Sequence, residues 1–388
     1  MSRSRSLVSR RALLALAAAG AAAGCSGNDP AAPQETRTSG PSAPTTGAGA
    51  GGALVWANWP EYIDVAGRGR QRPTLDAFVR RTGIEVDYQE VVNDNEEFVT
   101  SIAAALEAGR PVGYDILTLT SWKAAELVRA GWVRPFGPVD NLDNLIPALA
   151  RPDWDPDQRY SMPWQAGLTG IAYDARRVDR AIGSIDELFR RRDLNGRVGL
   201  LTEFTDTVGM ALLAQGSDPS AVTVAGVDSA VDLLAEQTRA GRFAGYYGND
   251  FIDALADGEL VACLAWSGDV LQAQLRNPYL KFVIPEEGLM IWSDSLIVPT
   301  ASTHADAVAR LAAYFYDPVV AAKVAAWVNY ICPVLGAQEA MERIDPDLAL
   351  SPLIFPDTTI LGRSYQFTTL PTEDDQRQRA AFAALVTT

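Results

Sequence analysis

The sequence is poor in the residues that build metal centres and nucleophilic active sites. It has a single histidine, His304, and three cysteines. No Cys/His spacing typical of a metal site occurs, and neither the G-x-S-x-G elbow nor a phosphate-binding G-x-x-x-x-G-K-[ST] loop is present. His304 stands in a polar Ser-Thr-His-Ala segment, a surface context that does not suit a catalytic base. These absences argue against an enzyme, a metal site and a bound cofactor.

Basic residues are also scarce relative to acidic ones. The chain carries 33 Lys and Arg against 48 Asp and Glu, a formal net charge of −15 at pH 7. So negative a surface repels nucleic acid and anionic lipid headgroups. The composition therefore excludes those partners and favours a cationic ligand.

The first residues have the pattern of an export signal. Arg3, Arg5, Arg10 and Arg11 precede a short apolar run that is too short to span a bilayer. The segment 9–14 resembles a twin-arginine signal, and Ala-Ala-Gly-Cys at 22–25 resembles a lipobox. We therefore predict a signal over residues 1–25, lipidation at Cys25 and, because residues 26–52 are rich in Ser, Gly, Ala, Pro and Thr, a flexible tether.

From residue 53 onwards, predicted strands and helices alternate. This order predicts an α/β fold with mostly parallel sheets flanked by helices. In such sheets a ligand binds beyond the carboxyl ends of the strands. The first lining candidates are the residues that follow predicted strands one and three: Trp59, Glu61, Tyr62, Thr120, Ser121 and Trp122.

One further stretch combines an indole with a carboxylate. Residues 295–299 read as a buried strand that begins just after Asp294. Residues two apart in a strand point to the same face, so Trp292 and Asp294 can face one cavity. A ring and a carboxylate suit an alkylammonium group. The alternative interpretation is a core tryptophan beside an aspartate that caps the strand.

These residues together resemble a known family, the polyamine-binding (spermidine/putrescine-binding) lipoproteins of ABC importers. The similarity runs from about residue 53 to about residue 369. It is carried by the order and spacing of several short segments: Asn58-Trp59-Pro60-Glu61-Tyr62, Thr120-Ser121-Trp122, Ala265-Trp266-Ser267-Gly268, Pro285-Glu286-Glu287-Gly288 and Trp292-Ser293-Asp294-Ser295.

The resemblance implies a two-lobe, periplasmic-binding-protein-like fold with crossing hinge strands. One lobe would comprise residues 53–165 and 293–339, and the other residues 166–292 and 340–388. It further implies a monomer without catalytic residues, cofactor or metal that delivers a polyamine to an ABC permease and its ATPase. The protein would lie on the outer face of the cytoplasmic membrane, held by its lipid anchor, or in the periplasm.

The resemblance also implies a set of ligand-lining residues: Trp59, Tyr62, Thr120, Ser121, Trp122, Trp266, Trp292, Asp294, Tyr330 and Gln366. The chain departs from the family at three positions, and at one of them Trp122 stands where a tyrosine is common. Where spermidine binders carry two acids, the matching residues are Phe204 and Thr207. Glu203 and Asp206 stand one residue before each, so either a small local shift lets these acids substitute or this end of the amine site is lost.

Several alternatives stay open. The ligand could be another small cationic or zwitterionic solute, such as an amino acid derivative or a quaternary amine. Adjacent Tyr246 and Tyr247 resemble the phenolate pair of ferric-ion-binding lipoproteins. An exported hydrolase that uses paired carboxylates is the non-binding alternative. Cys263 and Cys332 could form a disulfide in an oxidising compartment or remain small buried side chains.

Overall fold

The computed structural model describes residues 52–67, 71–368 and 372–387. The predicted signal, Cys25 and all but the last residue of the predicted tether lie outside these ranges. Eleven strands occur in the described part of the chain: β1 Leu54–Asn58, β2 Val86–Glu90, β3 Ile116–Thr120, β4 Val133–Arg134, β5 Met162–Asp174, β6 Val198–Leu201, β7 Phe243–Tyr247, β8 Ala262–Trp266, β9 Leu280–Val283, β10 Leu289–Pro299 and β11 Ser364–Tyr365.

Fourteen helices occur in the same ranges. They are α1 Pro73–Thr82, α2 Asn95–Glu107, α3 Ser121–Arg129, α4 Ile185–Arg190, α5 Phe204–Ala214, α6 Val224–Arg239, α7 Phe251–Ala256, α8 Ser267–Ala273, α9 Ala305–Phe315, α10 Pro318–Val328, α11 Ala337–Met341, α12 Pro346–Ala349, α13 Thr358–Leu361 and α14 Thr372–Val386. Local signals explain several starts: Pro73 opens α1, and the Asp94 side chain accepts a hydrogen bond from the Glu97 backbone N–H at the start of α2.

Two parallel groups of strands are joined by an antiparallel pair. The order through the sheet is β2-β1-β3-β10-β5-β8-β6-β7. Strands β1, β2 and β3 run parallel, as do β6, β7 and β8, whereas β10 is antiparallel to both β3 and β5. The long strands β5 and β10 therefore connect the two groups, which positions residues of both around the same edge.

The strand that ends at Pro299 is longer than the sequence analysis predicts. We expected it to begin just after Asp294, but β10 begins at Leu289. Its first residues pair with β5, from Met290 opposite Thr169 to Ser293 opposite Ala166. The register shifts between Ser293 and Ser295, so Asp294 lies at an irregularity within the strand. The polar residues Ser293 and Asp294 interrupt the apolar run at this point, which explains why the predicted start of the strand was wrong.

In the described ranges, no single helix combines the length and apolarity of a membrane-spanning helix. Helices α9 and α10 would meet that test only as a pair, and they are bent by 81° relative to each other.

Candidate functional site

A cavity lies where the two parallel groups of strands meet the crossing pair. It contains about 390 Å³ of space that no atom fills, including the part open to solvent. Most of its lining follows the carboxyl ends of β1, β3, β6, β7 and β8, which is the edge where ligands of open α/β sheets bind. The lining residues are Trp59, Pro60, Tyr62, Thr120, Glu203, Thr205, Asp206, Asn249, Trp266, Asp269, Trp292, Asp294 and Tyr330.

Five aromatic rings form a continuous series along this cavity. Trp59 lies edge-on to Trp266 at 5.9 Å between ring centroids, and Trp266 lies 6.1 Å from Trp292. Trp292 in turn contacts Tyr330 at 5.3 Å, and Tyr330 contacts Tyr62 at 5.4 Å. These rings come from widely separated parts of the chain, and the fold assembles them into one wall.

Two glycines make room for this wall. A Cβ atom at Gly167 would lie 2.3 Å from Cζ2 of Trp292, and a Cβ atom at Gly268 would lie 2.6 Å from the Tyr330 ring. Real Cβ atoms do not approach other atoms so closely, so both rings lie against bare backbone. The absence of a side chain at these glycines lets the rings sit where they line the cavity.

The turn after β1 directs Trp59 and Tyr62 into the cavity. The buried Asn58 side chain accepts a hydrogen bond from the Trp59 backbone N–H at 2.9 Å. Glu61 adopts a left-handed backbone conformation (φ 53°), and its backbone N–H donates to Glu90 Oε1 at 3.0 Å. This conformation leaves the Glu61 side chain exposed, outside the cavity lining.

Asp294 is buried in the cavity wall, with 3% of its surface exposed. Its Oδ2 accepts a 2.6 Å hydrogen bond from the Tyr62 hydroxyl, while Oδ1 has no partner. Burial raises the pKa of Asp294 to about 7, against the lowering effect of the hydrogen bond from Tyr62. The site thus holds a carboxyl group with one oxygen available to a ligand.

Asp269 provides a second such group, and the sequence analysis missed it. Burial raises the pKa of Asp269 to about 7, although a hydrogen bond from Tyr330 lowers it. Its Oδ2 is buried and has no partner. Asp269 lies in the first turn of α8, three residues after the end of β8, so the strand-end reasoning that selected Glu61 and Trp122 would also have found it.

Two more carboxyl groups line the cavity at the start of α5. Glu203 accepts hydrogen bonds from the Asn95 backbone N–H at 3.2 Å and from Asn95 Nδ2 at 2.7 Å. Asp206 Oδ2 accepts a 2.9 Å hydrogen bond from the Trp266 indole N–H. Burial raises the pKa of Glu203 well above its ordinary value and that of Asp206 to about 6. Unlike Asp269 and Asp294, neither group has a buried carboxyl oxygen that lacks a hydrogen-bond partner.

The residues beside these acids do not line the cavity. The Phe204 ring packs against Phe367 and Phe382, each at 5.6 Å between ring centroids. The buried Thr207 hydroxyl donates to the Leu201 carbonyl at 2.7 Å. The structure thus brings Glu203 and Asp206 to the cavity wall, rather than the residues that align with the family's acids.

Four predicted site residues lie outside the lining: Glu61, Ser121, Trp122 and Gln366. The Ser121 hydroxyl is hydrogen-bonded to Ser293 and Ser295, the two neighbours of Asp294 in β10. The Trp122 ring is covered by a side chain of the protein itself, Arg379. Gln366 is exposed. The other nine predicted ligand-binding residues all line the cavity.

The residues on which the other sequence-based hypotheses depend also lie outside the cavity lining. The Tyr246 hydroxyl is hydrogen-bonded to Thr238 at 2.9 Å, and Tyr247 follows it at the end of β7. Nδ1 of His304 lies 2.9 Å from Asp115. Cys263 and Cys332 are both free and buried, so the disulfide alternative is not realised.

The charge of the cavity has one sign. Among the described residues that line it are four carboxyl groups, and no lysine, arginine or histidine belongs to that set. Such a site attracts a cation, which would supply hydrogen-bond donors to the free oxygens and positive charge to the ring faces.

Comparison with known proteins agrees with this architecture. The bacterial extracellular solute-binding protein family matches residues 74–352. The chain is 23% identical over 313 residues to the spermidine/putrescine-binding periplasmic protein of Salmonella typhimurium, covering 80% of this chain and 85% of that protein. It is 25% identical over 336 residues to the putrescine/agmatine-binding protein of Pseudomonas aeruginosa, covering 81% and 86%.

A solved structure shares the fold. The spermidine/putrescine ABC transporter substrate-binding protein of Streptococcus pneumoniae superposes with a TM-score of 0.69 at 21% identity, covering 86% of this chain and 98% of that one. This confirms the predicted two-lobe, periplasmic-binding-protein-like α/β fold. With the family match extending over most of the described chain, the protein belongs to the bacterial extracellular solute-binding protein family.

Proposed function

We propose that this protein captures a polyamine of the putrescine or spermidine class outside the cytoplasm and passes it to an ABC permease with its ATPase. The observation that carries the proposal is the cavity itself, which combines four buried carboxyl groups with five aromatic rings and has no basic side chain among the described residues that line it. Relatives named for spermidine, putrescine and agmatine binding support the same ligand class.

Carboxyl oxygens without a hydrogen-bond partner distinguish the acids that contact the ligand from those that do not. A buried polar atom without a hydrogen-bond partner costs about 1–3 kcal/mol. Asp294 Oδ1 and Asp269 Oδ2 are both in this state, and an ammonium group carries the donors that would satisfy them. Asp294 and Asp269 therefore bind the ligand directly, while Glu203 and Asp206, which have no buried oxygen without a partner, add negative charge around it.

The aromatic wall contributes the rest of the affinity. Cation–π contacts contribute roughly 0.5–2 kcal/mol each when partly desolvated. Micromolar binding needs about 8 kcal/mol net. Two charge-assisted hydrogen bonds and several ring contacts together reach this range, and the rings also cover the ligand's methylene groups.

Closure of two lobes around the solute completes the proposed mechanism. The lobes are residues 53–165 with 293–339, and residues 166–292 with 340–388. The register supports two of these boundaries, because Ala166 of β5 pairs directly with Ser293 of β10. With these boundaries, β5 and β10 therefore pass from one lobe to the other at the same paired position of the sheet. The boundary at 339/340 falls inside α11, so the change of lobe there would be made by the loops that flank this helix.

Export and anchoring remain part of the proposal. Residues 1–25 act as the signal, with the twin-arginine pattern directing a folded chain across the membrane, and lipidated Cys25 holds the monomer at the membrane through the tether. Intact-mass analysis of the protein from the membrane fraction would show a chain that begins at Cys25 and carries acyl groups. A mature chain that begins elsewhere without lipid would contradict this part.

A thermal-shift screen tests the ligand class. A ligand that binds only the native state stabilises it by RT ln(1 + L/Kd), where L is the free ligand concentration. The melting temperature, Tm, therefore rises with ligand concentration. The panel comprises putrescine, spermidine, spermine, agmatine, amino acids and betaines, followed by calorimetric titration of each positive compound. We expect a rise in Tm with at least one di- or polyamine and none with neutral amino acids.

Two outcomes would contradict the proposal. A rise in Tm with amino acids or betaines and none with amines would assign the cavity to a different small solute. A visible absorption band on addition of a ferric salt would favour the alternative that uses Tyr246 and Tyr247.

A further inference from the structure

A cationic side chain of the protein is held between two aromatic rings next to the cavity. The guanidinium carbon of Arg379, in α14, lies 4.2 Å from the Trp122 ring centroid and 4.7 Å from that of Phe204. Its Nε donates to Asp375 Oδ2 at 2.8 Å, and only 15% of its side chain is exposed. The position is therefore that of a largely buried, ion-paired cation, rather than of a solvated surface arginine.

The two rings come from opposite groups of strands. Trp122 lies in the first turn of α3, directly after β3, whereas Phe204 begins α5, directly after β6. Strands β10, β5 and β8 separate β3 from β6 in the sheet. Arg379 thus joins one half of the sheet to the other.

Asn95 makes a parallel link between the same two segments. Its Nδ2 donates to Thr120 Oγ1 at 2.9 Å and to Glu203 Oε1 at 2.7 Å. Thr120 and Glu203 both line the cavity, whereas Trp122, two residues further along, and Phe204, the next residue, do not. The Arg379 contact therefore lies outside the ligand wall, where a substitution leaves the wall itself intact.

Helix α14 packs on one of these halves. Phe382 packs on Phe204, and Gln378 Nε2 donates to the Val224 carbonyl at 3.0 Å and to Asp228 Oδ1 at 2.9 Å, both in α6. The Arg379–Phe204 contact stays within this half. The Arg379–Trp122 contact reaches across to the other half.

We propose that Arg379 is a positioning residue that holds the cavity closed around its solute. The inference rests on the proposed function, in which two lobes close on the ligand. When the lobes open, the Trp122 ring leaves the guanidinium while Phe204 stays with it. A favourable contact present only in the closed state slows opening, and hence slows release of the ligand.

Four single variants, Arg379→Ala, Arg379→Lys, Trp122→Leu and Arg377→Ala, and the double variant Arg379→Ala/Trp122→Leu test this role. Arg377 is the matched control, because it lies on the same helix but is half exposed and pairs with Asp228 of α6. Stopped-flow tryptophan fluorescence with putrescine, or with the amine that wild type binds best, measures the association and dissociation rates, and calorimetry measures Kd.

We expect Arg379→Ala to raise Kd about 3- to 10-fold, nearly all of it in the dissociation rate. Arg379→Lys should recover part of this loss, and Arg377→Ala should match wild type. Combining Arg379→Ala with Trp122→Leu should add little to the larger single effect, because both remove one contact.

Three results would overturn the inference. The first is an unchanged dissociation rate in Arg379→Ala. The second is an equal effect of Arg377→Ala, which would indicate general loosening of α14. The third is full additivity of the double variant. If wild type binds no amine at all, the proposed function fails and the inference falls with it, whereas amine binding with an unchanged Arg379→Ala variant refutes the inference alone.

Discussion

The hydroxyl of Tyr62 donates a 2.6 Å hydrogen bond to Oδ2 of Asp294, while the other oxygen of the same carboxyl group has no partner. Tyr62 follows β1 and Asp294 lies in β10, so the bond joins two distant parts of the chain. It orients the carboxyl group and leaves one oxygen for a guest. The proposed recognition of an ammonium group depends on this arrangement.

Replacement of Asp294 by asparagine should abolish amine binding. Truncating one partner of a buried charge pair costs about 2–5 kcal/mol, which corresponds to a rise in Kd of at least roughly 30-fold. The fold should survive, because the substitution removes a buried carboxylate that has an unsatisfied oxygen. Calorimetry measures the loss, and circular dichroism checks the fold.

Asp253→Asn serves as the control for that variant, because Asp253 lies outside the cavity and forms an exposed ion pair with Arg276. It should bind like wild type. If Asp294→Asn retained affinity within about threefold of wild type for each amine that wild type binds, Asp294 would not be the ammonium ligand.

The empty protein should lose stability as the pH rises from about 4 to about 7. Burial raises the pKa of both Asp269 and Asp294 from 3.8 to about 7. A carboxyl group with a higher pKa in the folded state binds more protons there, so its contribution to the free energy of unfolding falls across that interval. Urea unfolding at pH 5 and pH 8 measures the change.

The double variant Asp269→Asn/Asp294→Asn isolates these two groups, because all other titrating residues are shared with wild type. Its stability should fall less between pH 5 and pH 8 than that of wild type. An identical fall in both proteins would show that the two carboxyl groups ionise as ordinary exposed acids do.

Amine binding should release protons near neutral pH. A bound ammonium group stabilises the ionised form of Asp294 and Asp269 and so lowers the pKa of each carboxyl group below the value of about 7 in the empty cavity. Affinity for putrescine should therefore rise from pH 6 to pH 8. Titration calorimetry in buffers with different ionisation enthalpies counts the protons, and a buffer-independent heat would contradict the expectation.

Substitution of Gly167 by alanine should damage the aromatic wall. The new methyl group would lie 2.3 Å from the Trp292 ring, so the indole must move towards the cavity. We expect at least a tenfold loss of amine affinity and an altered tryptophan emission spectrum. Gly183→Ala is the matched control, since the atom nearest to a Cβ there lies 3.8 Å away. Equal behaviour of the two variants would show that Trp292 has room to adjust.

The two buried cysteines should remain reduced thiols in the exported protein. Both are free in the structure, and burial raises the pKa of each thiol, which suppresses the reactive thiolate. Alkylation of denatured, non-reduced protein should therefore label both Cys263 and Cys332. A mass two daltons lower, with no label at either position, would instead demonstrate the disulfide.

The sequence was sufficient for the fold class and for most of the cavity wall. Alternation of strands and helices predicts a sheet with ligand residues at the strand ends, and Trp59, Tyr62 and Thr120 lie there. The resemblance adds residues that periodicity alone cannot select, such as Trp266 and Tyr330. Their contribution depends on contacts between distant segments, which no local pattern records.

The misses have physical causes. The predicted start of β10 was wrong because polar residues at the cavity interrupt its apolar pattern. Pairing with β5 nevertheless continues the strand back to Met290. Glu61 follows the right strand, but its left-handed backbone turns the side chain outwards. Trp122 was assigned to the ligand, whereas Arg379, 257 positions later in the chain, covers its ring.

The indole N–H groups of two wall tryptophans are already engaged within the protein: Trp266 donates to Asp206 and Trp292 donates to Thr169 at 3.0 Å. Their side-chain rotamers are set before any guest arrives, so little conformational entropy remains to be lost on capture. The Trp59 indole N–H has no such anchor. Hydrogen bonds thus preorganise the cavity on the side of Trp266 and Trp292, whereas the Trp59 side chain is held there by packing alone.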